Sequence, residues 1–134
     1  MTKEEIIVAL KSRAKPYEDY SIDDDVKQAM LNLANPYMLV EPILELIATN
    51  PTVDFGSPGE LVNFVEQFYK KGYEDLLLAS VLRQPTAHNI WMLHRCFNAP
   101  NDPRHQAYQE VIETIRADAL VSDEIKQTID AFDW

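Results

Sequence analysis

The chain has 134 residues, enough for one ordinary domain with its own core. Hydrophobic residues make up 46% and charged residues 25%, the balance of a globular protein, and the net charge of −10 works against nucleic-acid binding, which needs clustered Lys and Arg. Cys96 is the single cysteine, so no intrachain disulfide can form, and a lone thiol suits a reducing compartment.

The helix signals begin at once. Thr2 with Glu5 forms a capping box ahead of Ile6, Ile7 and Leu10. Ser21 is the expected cap of a second helix, with Asp23 and Asp24 in its first turn, where the positive end of the helix dipole favours acid. Val26, Met30 and Leu33 form its buried stripe, and Asn35-Pro36 ends it. A third helix is expected over 37–49, rich in Met, Leu and Ile, with Pro42 inside it as a kink or a division. Its polar side falls to Glu41 and Glu45, four apart on one face.

In "NPTVDFGSPGE" the spacing predicts Ser57 as a cap, Pro58 as the first helical residue and Glu60 as the other half of a capping box. The helix that follows, 58–71, buries Leu61, Phe64, Val65 and Phe68 and stops at Gly72. Another runs 73–83 with Leu76, Leu77 and Val81 inward, joined by Ala79 and Leu82, and Pro85 stops it. Thr86 caps a helix to about residue 98. Asp102 with Pro103 opens one to Ala117, and Ser122 caps a last one with Ile125, Ile129 and Phe132 on its apolar side. The expectation is therefore an all-α fold of about eight short helices in antiparallel hairpins. It takes the form of a compact bundle or a short HEAT-like α-solenoid, with residues 1–134 as a single domain. A helix-internal proline leans toward the solenoid, although no sequence repeat supports one.

The stretch "MTKEEIIVALKSR" is too acidic, and its apolar run too short, for a secretory signal. No apolar run approaches the roughly 20 residues that span a bilayer. A cytoplasmic protein without membrane contact is expected.

Charge is unevenly spread. Between residues 16 and 69 ten acids face Lys27 alone. Such a field attracts a basic partner and speeds its arrival; its more ordinary use is to keep a protein soluble. Tyr17, Tyr20 and Tyr37 flank the acids, and tyrosine beside acid is common on protein-recognition surfaces. The candidate contact region is Tyr17, Glu18, Asp19, Tyr20, Asp23, Asp24, Asp25, Tyr37, Glu41 and Glu45. The three consecutive aspartates lack the alternate acids, central glycine and distal glutamate of a calcium loop.

"PTAHNIWMLHRCFN", residues 85–98, gathers His88, His94, Arg95, Trp91 and Cys96. On a helix, His88, Trp91 and Arg95 share a face, whereas His94 lies about 240° round from His88 at 100° per residue. The two histidines cannot hold one metal from a regular helix, and no paired ligand spacing is present. Cys96 between Arg95 and Phe97 reads as a small core residue. His88 and His94 are expected to bond backbone or side-chain partners beside a tryptophan-rich seam. No catalytic residue, metal or cofactor is expected.

Residues 54–98 carry a resemblance. "DFGSPGELVNFVEQF" followed by "LLLASVLRQPTAHNIWMLHRCFN" is similar to a family of small bacterial α-helical immunity proteins. These accompany polymorphic and contact-dependent growth inhibition toxins. The similarity covers about a third of the chain, and an asparagine is usual in that family where this chain has His94. The resemblance implies a cytoplasmic, non-enzymatic protein that binds and neutralises one cognate toxin domain, commonly a basic nuclease acting on transfer RNA, with no direct contact to nucleic acid. Two other classes stay open: a helical-repeat adaptor that binds a peptide or partner subunit, and a small hydrolase or metal protein built on His88, His94, Cys96 and His105.

Overall fold

The computed structural model describes residues 1–134 and is all-α. Eight α-helices run in order: α1 Lys3–Ser12, α2 Asp24–Asn32, α3 Val40–Thr49, α4 Glu60–Glu66, α5 Tyr73–Arg83, α6 Ala87–Phe97, α7 His105–Ala117 and α8 Asp123–Asp130, with a 3-10 turn Pro36–Leu39 before α3. Alternate helices stack in this bundle: α1 on α3, α3 on α5, α5 on α7, and α6 on α8. α3 and α5 also pack on α6, so these three helices form its centre. Ile43, Ile47, Leu77, Val81, Ile90 and Leu93 from them are completely buried.

Several helix starts follow their local signals. The reciprocal Thr2–Glu5 capping box is present, and Thr86 forms another with Asn89. The Ser122 hydroxyl accepts from the Ile125 N–H at the start of α8. Each satisfies N–H groups that a helix start leaves unpaired.

Others differ. Asp23, not Ser21, is the N-cap of α2. The expected 37–49 helix is divided, and Pro42 falls in the first turn of α3. There its missing N–H is one the helix would not have used, so no kink is needed. Met38 is exposed rather than buried. α4 begins at Glu60 with Gly59 as N-cap, and Ser57 makes no cap. Glu60 reaches away from its own helix: its Oε1 accepts from the Ile22 N–H at 3.1 Å, and its Oε2 pairs with Lys27 at 2.6 Å. α4 ends at Glu66, short of the expected residue 71. α7 begins at His105, because Asp102 is turned inward. Ala79 and Leu82 of α5 face outward.

The turn into α4 is tight. A Cβ on Gly59 would overlap the Phe55 carbonyl oxygen, which is backbone and cannot swing aside. Gly59→Ala should therefore cost about 1–3 kcal/mol through forced backbone movement. A lowered urea midpoint at unchanged slope would register it.

Candidate protein-binding surface

The acidic segment after α1 is held at both ends. The Tyr17 N–H donates to the Thr52 carbonyl at 2.9 Å, the Asp54 N–H to the Glu18 carbonyl at 3.0 Å, and the Tyr20 N–H to the Asp54 carbonyl at 2.8 Å. Together these make a short parallel β-bridge between Asp19 and Asp54. Further on, Ile22 is tied to Glu60. The backbone of an exposed, charged turn is thus fixed by partners more than thirty residues away.

Side chains divide accordingly. Tyr17 is 86% exposed, with a left-handed φ of 64°; a bulky non-glycine residue is rarely found there, and it persists only when its surroundings impose it. Glu18 and Asp19 beside it are exposed, as are Asp23, Asp24 and Asp25 further along the chain. Arg13, Lys15, Tyr17, Glu18, Asp19 and Ser21 line a hollow of about 480 Å³. Arg13 pairs with Asp23 at 3.4 Å and Lys27 with Asp24 at 3.7 Å, so part of the charge is balanced within the chain.

The other candidate residues are placed differently. The Tyr20 hydroxyl donates to the Leu10 carbonyl at 2.8 Å, near the end of α1, and its ring packs 5.1 Å from Phe55. Burial pushes the Tyr20 hydroxyl up, with Glu60 adding to the effect. Tyr37 is half-buried, edge-on to Phe68 at 5.4 Å, and packs over Gly72, whose φ of 109° only glycine adopts freely. Both tyrosines are committed to packing. Glu41 and Glu45 are exposed on α3. Glu41 borders a separate small hollow beside Arg83.

On α6 the expected shared face is present. His88 and Trp91 rings lie 5.3 Å apart, and the Arg95 guanidinium lies 5.0 Å from the Trp91 ring. Arg95 also grips Glu66 through two hydrogen bonds of 2.8 and 2.9 Å. His94 is within hydrogen-bond reach of the Asp133 carbonyl through Nε2 at 2.9 Å and stacks on Phe132 at 4.6 Å. His105 stacks on Phe97 at 4.6 Å. Cys96 is buried, and burial, helped by nearby Glu74, pushes its thiol up to about 12. Such a thiol is almost wholly protonated at neutral pH and is a poor nucleophile. No group of three or more His, Cys, Asp and Glu is arranged to hold a metal ion.

His88 corrects the expectation of a bonded histidine: its Nε2 is buried without a hydrogen-bond partner, between Phe55 at 5.6 Å and Trp91. Burial lowers its pKa, opposed by nearby Asp54. Above about pH 6.5 the imidazole is neutral in both folded and unfolded chains. Below that, the unfolded chain takes the proton first, so stability falls until the lower folded value is reached. His88→Gln should flatten this part of a urea midpoint-versus-pH profile.

Sequence reasoning missed the role of Asp102. Its Oδ2 accepts from the Tyr69 hydroxyl at 2.6 Å and the Tyr108 hydroxyl at 2.8 Å, and its Oδ1 from the Arg104 N–H at 2.8 Å. Beside it, Glu74 is 1% exposed, accepts from the Lys70 N–H and faces Arg104 at 3.6 Å. The Asp-Pro pair signals a helix start, and nothing local marks the carboxylate as buried.

Comparison with protein-family models, curated proteins and solved structures gives no match. No helix is long and apolar enough to cross a membrane.

Proposed function

We propose that this chain is a cytoplasmic immunity protein that binds and neutralises one cognate toxin domain, a basic nuclease. The observation that carries the reading is the segment 17–25, which bears an exposed tyrosine in a forced conformation and five exposed carboxylates, on a backbone tethered at Tyr17, Glu18, Tyr20 and Ile22. Ordering a contact loop before binding removes an entropy cost from association. The carboxylates meet the Lys and Arg residues that would otherwise hold RNA phosphate. Charge of this kind raises the rate of encounter, and a central aromatic anchor slows departure. Inhibition is stoichiometric, and the chain breaks no bond.

The test is co-expression with the variable C-terminal domain of a large secreted protein encoded beside this chain. Growth should be restored, and the purified domains should form a complex. Tyr17→Ala should leave the fold intact and speed dissociation about tenfold or more, as expected for a lost aromatic anchor. Unrelieved growth arrest, with both proteins present and folded, would overturn the reading.

A further inference from the structure

A gap lies in the packing beside the acidic turn. α2 and α4 scarcely touch, and a groove of about 220 Å³ lies between them. Its floor is apolar, formed by Ile22, Met30 and Phe64, while Leu31 at the rim is 63% exposed. The volume falls below the 300–1,000 Å³ of a typical small-molecule pocket. It suits the anchoring side chains of a larger partner.

Charge narrows the partner. Lys27 is the only cation between residues 16 and 69, and it is spent on Glu60 across the groove and on Asp24. The Asp24 side chain is fully exposed and Asp25 is exposed, both at the same end of α2. An acidic partner would be repelled here. An uncharged one would gain nothing from this field. The groove walls are helices, whose backbone groups pair internally, so a partner cannot add as a strand. Apolar residues repeating every three or four positions on a helix match such a groove, and methionine adapts to their shape.

We propose that the α2–α4 groove docks a basic amphipathic helix, with apolar side chains over Met30 and Phe64 and Lys or Arg facing Asp24 and Asp25. The positive charge of the partner rests on the immunity reading; the apolar seat is independent of it.

The probe is a helical Leu/Lys peptide with one apolar face, set against a peptide of the same composition in scrambled order. Binding to the full chain is measured by calorimetry, and its position by backbone amide shifts. The amphipathic peptide should bind about tenfold tighter than the scramble, with shifts centred on α2 and α4. Leu31→Ala, which alters no charge, should remove most of that preference. Leu31→Glu should remove it although it adds negative charge. Leu31 is exposed, so neither variant should disturb the fold, which circular dichroism checks. Equal binding of the two peptides, or shifts confined to residues 17–20, would overturn the proposal. Peptide failure with cell protection intact sinks the groove alone, and lost protection with peptide binding intact sinks the immunity reading alone.

Discussion

Asp102→Ala is expected to lower the unfolding free energy by about 3 kcal/mol. The variant leaves the Tyr69 and Tyr108 hydroxyls without their acceptor, and Tyr108 is completely buried. An orphaned buried donor costs roughly 1–3 kcal/mol, and the Arg104 N–H loses its partner as well. Removing a buried carboxylate recovers some desolvation cost, which keeps the loss below the sum of the three bonds. Asp102→Asn keeps one good acceptor and should fall between parent and alanine. Acid should expose the same network. Burial pushes the Asp102 carboxyl up, but hydrogen bonds from Tyr69, the Arg104 backbone and Tyr108 outweigh it and hold it below the ordinary carboxylate value. Its stabilising contribution is therefore present above about pH 4 and lost as the pH falls through the lower folded value. A urea midpoint for Asp102→Ala equal to that of the parent at neutral pH would sink this account.

The second large effect is kinetic. Combining Glu18→Lys, Asp19→Lys and Asp24→Lys should slow association with the proposed basic toxin domain about tenfold to a hundredfold at low salt. The difference should shrink at high salt, where the screening length falls to a few ångströms. Dissociation should change little, because exposed charges at the edge of an interface act mainly on encounter. These positions avoid Asp23, which both precedes α2 as its cap and pairs with Arg13. They also leave the backbone bonds of the turn in place. Stopped-flow association across a salt series is the measurement, and unchanged rates would remove the acidic surface from the mechanism.

Particular residues show why some features were legible. Thr2–Glu5, Thr86–Asn89 and Ser122–Ile125 are spaced three apart, and the physics of a helix start acts over that distance. The 37–49 stretch is divided as one of the two expectations had it, but Pro42 is not interior, because a proline at the third position of a helix and one at its middle look alike until the start of the helix is known. Ser57 lost its expected role to the packing of Gly59 against the Phe55 carbonyl. Tyr20 and Tyr37 resemble Tyr17 in composition and setting. Only folding assigns the first to the end of α1, the second to Phe68, and the third to solvent.

Sequence alone determined the helical class, the starts of α1, α5, α6 and α8, the lone thiol and the excess of acid over residues 16–69. These depend on composition or on interactions within one helical turn, so a single chain read in order displays them. Tertiary structure decided which tyrosine stays free, that Glu60 secures α2 through Ile22 and Lys27, and that Asp102 turns away from water toward Tyr69. The last two contacts join residues more than thirty positions apart. Their energy comes from desolvation and geometry that exist only after the helices have packed, and it leaves no periodic trace along the chain.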